Sequence, residues 1–209
     1  MMADKVTTAE LNRAIQMGLA SLGFKKSGPQ TCCVPLDPAV LGWVGFNHAR
    51  MDDGSVESGP MIGIHSTKIH QLIAQLRNEK YRPCDPPTFV QNAGYLIPER
   101  RTYIAIKFEN VEQLTERVQV FVDVVREVGL PFMRAHTEMA AICESLRQFK
   151  PLAEAEERSS VAEYLLGNRA AAKEIVETKL DQLKSEHPVM RVKFEKFSTP
   201  FLQLLASSV

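Results

Sequence analysis

The sequence predicts an α+β protein: an antiparallel sheet of about four or five strands, an N-terminal helix, an inserted helix and a C-terminal helical half. Two patterns support this class. Between residues 31 and 108, short β-prone runs alternate with period two, and from Asn110 onward apolar residues recur with period 3.6. The chain has 209 residues, 44% hydrophobic and 24% charged, which is ordinary for a soluble globular protein that buries a real core.

The first predicted element is a helix over Thr7 to Leu22. Thr7 and Glu10 have the spacing of a capping box, and Gly23 is placed to end the helix in the left-handed conformation. A short strand is expected to follow at residues 31–34. The helix has one apolar stripe, which consists of Leu11, Ile15, Leu19 and Leu22.

Two runs in the middle of the chain, Gly42 to Ala49 and Pro60 to His65, predict a β-hairpin with a long polar loop. A second helix is expected to begin at Ser66, a residue suited to capping, and to continue to about Arg77. The sheet is therefore interrupted by one inserted helix.

Residues 78–92 form an irregular stretch that contains three prolines, Pro83, Pro86 and Pro87. Long loops inside a domain are often lids or binding loops, but we favour a solvated connector here. A second hairpin is predicted beyond it. Its strands are residues 94–97 and 102–108, and the sequence PERR is its turn.

The helical half begins with a helix over about residues 111–125, which Gly129 is expected to end, and continues with a helix that starts near Pro131. The charged stretch KPLAEAEER at residues 150–158 is the best candidate boundary. It divides the chain into an α+β domain, residues 1–150, and a helical hairpin extension, residues 151–209, docked on it as one structural unit.

Two further signals shape the predicted extension. Ser160 and Glu163 have the spacing of a second capping box. His187 and Pro188 interrupt the helical pattern before a last amphipathic segment. The extension is therefore expected to be a pair of helices followed by one more.

The predicted strands have two different faces. One face is aliphatic and is expected to meet the core: Val44, Phe46, Ile62, Ile64, Ile104, Ile106 and Phe108. On the opposite face, glycines leave space between aromatic and polar groups, so it is either a binding floor or a second packed layer. The candidate ligand- or partner-binding residues on this opposite face are Trp43, Asn47, His65, Tyr103 and Lys107.

Composition argues against several classes of function. Lysine plus arginine and aspartate plus glutamate both number 25, so the net charge is zero and a nucleic-acid partner is not expected. The start of the chain lacks the apolar run of a secretion signal, and no segment has the length of a membrane span. Four cysteines without a disulfide framework favour a reducing compartment, so we expect a cytoplasmic protein without a membrane partner.

No motif points to catalysis or to a cofactor. His65 and His70 are five residues apart, which is not the spacing of a zinc site, and no metal is expected. A thiol nucleophile would need a neighbouring base, which Cys33 or Cys84 would find only if His65 lay close in space. Glycine-rich phosphate loops and the GxSxG elbow are absent from the sequence. We therefore expect no catalytic residue and no cofactor.

A family resemblance rests on four short stretches in chain order: LGFKKSG, GWVGFN, GYLIPERR and YLLGNRAAA. Together they resemble a group of small bacterial cytosolic domains of unknown function, some of which are similar to immunity proteins that neutralise partner toxins. The resemblance implies a partner-binding protein without chemistry of its own.

The sequence thus favours a non-catalytic module that binds a protein partner, with toxin neutralisation as the role that the resemblance implies. The alternative is a small-ligand binder or hydrolase that uses the Trp43 and His65 face, and this alternative requires an enclosed pocket. A structural subunit, the third class, would instead have an extended apolar interface and no pocket.

Overall fold

The computed structural model describes residues 5–149, 154–186 and 188–207, and the predicted boundary at residue 150 and the break at His187 lie outside these ranges. The α+β class is confirmed: an antiparallel six-stranded sheet is combined with helices at the N-terminus and throughout the C-terminal half. The strands are β1 (Lys25–Gly28), β2 (Thr31–Asp37), β3 (Val40–Arg50), β4 (Val56–Ser66), β5 (Phe89–Asn92) and β6 (Ile106–Phe108). The helices are α1 (Thr8–Ala20), α2 (Thr67–Arg77), α3 (Leu114–Val124), α4 (Leu130–Ala135), α5 (Met139–Gln148), α6 (Ala155–Leu165), α7 (Arg169–Glu186) and α8 (Pro188–Ser207).

The predicted first helix and its caps are confirmed. Thr7 and Glu10 form the capping box, with the Thr7 backbone N–H donating to the Glu10 carboxylate at 2.9 Å. Gly23 adopts φ of 85°, a conformation that glycine accepts without steric cost. Leu11, Ile15 and Leu19 then point into the core from one stripe of α1.

The sheet is built around the hairpin of β3 and β4, whose register is continuous from Val40 opposite Ser66 to Arg50 opposite Val56. The strand order is β1-β2-β3-β4-β5, and β6 also pairs with β4. Residues 61–64 of β4 pair with β5, and residues 56–58 pair with β6. Two short strands therefore share one edge of β4.

The prediction of a second hairpin from residues 94–97 and 102–108 is wrong. Ala93–Leu96 is a 3-10 helix that begins at Asn92, whose side chain accepts a hydrogen bond from the Gly94 backbone N–H at 3.0 Å. The same Asn92 side chain binds the backbone N–H and C=O of Ile104 at 2.9 Å. Hydrogen bonds to the buried Asn92 side chain therefore hold this segment where the pattern predicted hydrogen bonds between two strands.

One face of the sheet, which we call the helix-covered face, meets α1, α3 and α4. Of the predicted aliphatic residues, all but Ile104 are buried, and Ile104 is half-buried and lies outside β6. Phe46 meets Phe121 of α3 edge-on with ring centroids 6.1 Å apart. The other face carries Trp43, Gly63 and His65. Residues 78–88, which we call the proline segment, run over its β2-proximal half, so we call it the loop-covered face.

The prediction that Gly129 ends a helix is wrong. The helix continues from α3 through a π-helical turn at Val125–Gly129 directly into α4. A Cβ atom at Gly129 would lie 2.9 Å from the Ile62 Cδ1 atom of β4. Glycine at this position therefore lets the helix approach the sheet closely, and it does not serve as a stop signal.

Helix α6 packs against α2, α5 and α7 and buries polar as well as apolar side chains. The predicted capping box at Ser160 and Glu163 is wrong, because α6 begins five residues earlier, at Ala155. Ser160 lies inside the helix and donates its hydroxyl to the Glu157 carbonyl at 3.1 Å. The division of the chain into residues 1–150 and 151–209 stays a prediction.

Candidate functional site

The five predicted binding residues lie on the loop-covered side but do not form one site. Trp43 pairs with Gly63 and Asn47 with Gly59, while Lys107 of β6 pairs with Glu57. At a rise of about 3.3 Å per residue, the stretch of β4 from Glu57 to His65 spans about 26 Å. The five residues therefore lie along the length of the loop-covered face and not around one point. One end of this face is open to solvent, and the other end is covered.

At the open end, Asn47 is exposed and Tyr103 has an exposed fraction of 51%. The Lys107 Nζ atom lies 2.8 Å from the Asp53 carboxylate and 3.2 Å from that of Glu109. Ion pairs of this solvent-facing kind contribute little free energy. This end is therefore a solvent-exposed surface.

At the covered end, the proline segment lies over Trp43. The Trp43 indole donates its Nε1–H to the Cys84 carbonyl oxygen at 3.0 Å. No Cβ fits at Gly45 without meeting the Trp43 ring, so the indole lies flat over that glycine. Trp43 is thus half-buried beneath the proline segment, most of whose own residues are exposed, so the expectation of a solvated connector holds in part.

His65 is completely buried beneath the same segment, with an exposed fraction of 0%. Its Nδ1 lies 2.8 Å from the Pro86 carbonyl oxygen and its Nε2 lies 3.0 Å from the Tyr81 hydroxyl. Because a carbonyl only accepts, Nδ1 carries the proton and Nε2 accepts from Tyr81. Burial lowers the pKa of His65, so the ring is held in its neutral form.

Two thiols meet under the proline segment. Cys33 lies opposite Trp43 in the register of β2 and β3, and the Cys84 thiol lies within hydrogen-bonding reach of it. Burial raises the pKa of Cys33 and raises the pKa of Cys32 to about 11. These environments favour the protonated thiol, the opposite of what a nucleophile requires.

Next to the covered end lies a cleft of about 470 Å³, which we call the α2–α6 cleft. It opens between α2, the proline segment and the beginning of α6, and its volume falls in the range that suits small ligands. Its lining residues are His70, Ile73, Ala74, Arg77, Glu79, Lys80, Tyr81, Arg82, Asp85, Pro86, Glu154 and Arg158.

His70 lines the cleft and stacks on His65, with ring centroids 4.2 Å apart and an angle of 9° between the ring planes. Its exposed fraction is 9%, and its Nε2 atom has no hydrogen-bond partner. Burial is the largest cause that lowers the pKa of His70 to about 2, and the neighbouring cations add to it. The wall of the cleft therefore carries a neutral, buried imidazole with an unsatisfied nitrogen.

Arg158 lies on the α6 side and is 2% exposed. One terminal nitrogen donates to the Thr88 carbonyl oxygen at 3.4 Å, and the other lies 3.9 Å from the Glu154 carboxylate. Charge-assisted hydrogen bonds are ordinarily about 2.7 to 2.9 Å long. Burial lowers the pKa of Arg158 because these long contacts compensate poorly for lost hydration.

Arg77 is the better satisfied cation of the cleft. Its Nη2 lies 2.5 Å from the Glu157 carboxylate and 3.1 Å from that of Glu154. Glu157 is itself buried, and burial raises its pKa to about 7 in spite of the adjacent guanidinium. This network links α2 to α6 across 80 residues of sequence.

The cleft was not predicted from the sequence, although part of it leaves a local signal. His70, Ala74 and Arg77 follow the spacing i, i+4, i+7 and therefore share one face of α2. The spacing of His70 from His65 bears only on a zinc site, and Arg158 belongs to the charged stretch that predicts a boundary. No local pattern connects that stretch to α2.

Two features are absent from the part of the chain that the structure describes. No three His, Cys, Asp or Glu side chains in residues 5–149, 154–186 and 188–207 are grouped so that they would hold a metal ion. Within the same ranges, none of the helices combines the length and the apolar character that a membrane span needs.

No protein-family model, no curated protein and no solved structure matches this chain. The resemblance to small bacterial domains and to immunity proteins therefore stays a prediction from the sequence. The geometry of the cleft and of the surface is what bears on function.

Proposed function

We propose that this protein is a non-catalytic binding protein that holds a small molecule in the α2–α6 cleft. One observation carries the proposal: the cleft is walled by His70 and Arg158, buried polar side chains whose hydrogen bonds are missing or long. Buried polar groups in folded proteins are ordinarily satisfied. A ligand that supplies the missing partners explains why these groups line an opening of about 470 Å³.

The composition of the wall favours binding over hydrolysis. A hydrolase of the covalent type needs a nucleophilic hydroxyl or thiol within reach of a base. Among the described residues that line the cleft there is no serine, threonine or cysteine. His65 already uses both ring nitrogens, one on Pro86 and one on Tyr81. Of the two small-molecule alternatives, a ligand-binding protein is therefore favoured over a hydrolase.

Filling the cleft tests this proposal. Ala74 lines the cleft from α2, so Ala74→Trp places an indole where the ligand would lie. We expect compounds from a panel of small acids, amides, amines and sugars to raise the Tm of the wild type but not of Ala74→Trp. The matched control is Ala140→Trp, at an exposed alanine of α5, which should respond like the wild type.

Two results contradict the proposal. One is a panel in which no compound changes the Tm of the wild type. The other is a response that persists at full size in Ala74→Trp, because the compound would then bind elsewhere. Nuclear magnetic resonance of the Trp43 indole N–H, which lies under the neighbouring segment, gives an independent readout of occupancy.

A second candidate function is binding of a protein partner, the role that the sequence favours, and one observation supports it. Val189, Met190 and Val192 at the beginning of α8 are all exposed, although they are large and apolar. Clustered apolar side chains on a surface often mark an interface. Within this second function, the immunity role stays a prediction.

The double variant Val189→Glu with Val192→Glu tests the second candidate. We expect it to abolish capture of a partner from the native cell and to leave the thermal stability within the error of measurement, since both side chains are exposed. Lys196→Glu, an exposed change two turns further along α8, is the control. A partner captured equally by all three proteins would contradict this interface.

A further inference from the structure

We propose that the ligand of the α2–α6 cleft is a small monocarboxylate, whose carboxylate is bound by the guanidinium of Arg158 and whose apolar part lies against Ile73, Ala74 and Pro86. This inference rests on the proposed function and names the ligand class for the same site. It follows from the donors that the cleft leaves unsatisfied, from its charge balance and from its apolar wall.

The donors come from Arg158. A guanidinium carries five N–H donors in a planar fork that matches the two oxygens of a carboxylate. In this protein Arg158 is 2% exposed, and its guanidinium contacts the Thr88 carbonyl oxygen at 3.4 Å and the Glu154 carboxylate at 3.9 Å. A purely structural arginine at such depth would be expected to make short paired contacts, as Arg77 does with Glu157 at 2.5 Å. A carboxylate bound at the fork would complete its hydrogen bonds.

The charge balance selects a single negative charge. The cationic lining residues are Arg77, Lys80, Arg82 and Arg158, and the anionic ones are Glu79, Asp85 and Glu154. His70 is neutral because of its burial. The lining therefore has one positive charge more than it has negative charges, and a ligand with a single negative charge balances it.

Three apolar residues complete this part of the wall. Ile73 and Ala74 face the cleft from α2, and Pro86 faces it from the proline segment. Burying apolar surface there stabilises a complex by about 25 cal/mol for each Å² removed from water. A ligand with a carboxylate at one end and a ring or branched chain at the other fits both halves of the site.

Matched probes test the ligand class. Benzoate and benzamide have the same shape and differ in charge, so their comparison isolates the carboxylate. We expect benzoate to raise the Tm of the wild type and to shift the Trp43 indole resonance at millimolar concentration, and benzamide to bind at least about tenfold more weakly. Inorganic phosphate at the same ionic strength should bind more weakly than benzoate.

Two variants assign the interaction to Arg158. Arg158→Met keeps most of the aliphatic stem and removes the charge, and we expect benzoate binding to fall about tenfold or more. Arg158→Lys keeps the charge but lacks the planar fork, so its affinity for benzoate should lie between those of the wild type and Arg158→Met. Arg134→Met removes an exposed arginine from another surface and should bind benzoate like the wild type. The wild-type comparison of probes stands even if an Arg158 variant fails to fold.

The outcomes separate the two proposals. Equal binding of benzamide and benzoate, lost in Ala74→Trp, would overturn the monocarboxylate and leave the cleft as the binding site. Preference for phosphate would do the same. Benzoate binding that survives both Arg158→Met and Ala74→Trp would overturn the assignment of the anion to this cleft. A wild type that responds to no probe and to no compound of the panel would overturn both proposals.

Discussion

The two faces of the sheet are covered through different kinds of contact. On the helix-covered face, side chains meet side chains, as Phe46 meets Phe121. On the loop-covered face, side chains meet main-chain oxygens. Trp43 donates to the carbonyl of Cys84, His65 to that of Pro86 and Arg158 to that of Thr88, at 3.0, 2.8 and 3.4 Å.

The prolines explain this difference. Pro83, Pro86 and Pro87 have no N–H to offer, so this stretch is poorly suited to pairing as a strand. Its carbonyl oxygens remain available as acceptors. Those of residues 84, 86 and 88 accept hydrogen bonds from side chains of β3, β4 and α6. A layer held by separate hydrogen bonds is expected to be easier to move than a layer held by packed apolar area.

The largest effect is expected in the helix-covered layer. Phe121 is fully buried between α3 and the sheet, so Phe121→Ala should lower the free energy of unfolding by about 3 to 5 kcal/mol. Urea unfolding followed by circular dichroism measures it. Val120→Ala, at the exposed neighbouring position, should change stability by less than about 0.5 kcal/mol. A loss below about 1 kcal/mol at Phe121 would mean that this layer is not the tightly packed one.

The next effect concerns Glu157, which has a folded-state pKa of about 7 against an ordinary 4.5. A carboxyl whose pKa is raised by folding stabilises the protein fully below pH 4.5, and this contribution is lost as pH rises through 7. Over that interval the wild type should lose about 3 kcal/mol relative to Glu157→Gln. Denaturant unfolding at several pH values measures the difference.

Glu174→Gln is the control for this titration, since Glu174 is an exposed carboxyl of α7. Because its side chain is exposed, Glu174→Gln should change the free energy of unfolding by less than about 0.5 kcal/mol. The opposite result is a difference in unfolding free energy between the wild type and Glu157→Gln that does not change with pH. It would show that the contacts between α2 and α6 keep Glu157 ionised, as in a conventional ion pair.

A smaller effect is expected for Trp43, because only part of its ring is covered. Trp43→Ala should lower the free energy of unfolding by about 2 kcal/mol, less than Phe121→Ala. Trp43→Phe retains a ring and removes the donor to Cys84, so it should cost about 1 kcal/mol. Thermal unfolding of both variants gives the ranking. If Trp43→Ala lowered the free energy of unfolding as much as Phe121→Ala does, the two faces of the sheet would be equally tightly packed.

The same contrast explains which parts of the fold the sequence could predict. Alternation of apolar residues is a local signal, and it placed Val44, Phe46, Ile62 and Ile64 on the buried face correctly. The predicted binding residues of the opposite face follow from the same alternation. What alternation cannot show is that a segment from elsewhere in the chain covers His65 and leaves Asn47 open.

The errors have a common physical cause, which is contact between distant parts of the chain. Arg158 reaches Thr88 across 70 residues, and this contact has no periodicity from which it could be inferred. Gly129 resembles a stop signal locally, but close packing on Ile62 decides its role. In the same way the Asn92 side chain replaces a hairpin that the pattern favoured. The cleft is formed by such contacts, and so it was missed.

The smallest effect on stability is expected at Cys84, which lies half-exposed on the segment that covers Cys33. Cys84→Ser should change the free energy of unfolding by less than about 0.5 kcal/mol, because Trp43 binds its main-chain carbonyl and not its thiol. Burial disfavours the thiolate at Cys33, and it raises the pKa of Cys32 and Cys143 to about 11. A thiol reagent at neutral pH should therefore label Cys84 first in the folded wild type, with no fast label in Cys84→Ser. If Cys33 is labelled as fast as Cys84 while Cys143 stays protected, the proline segment opens in solution and the loop-covered face is the mobile one.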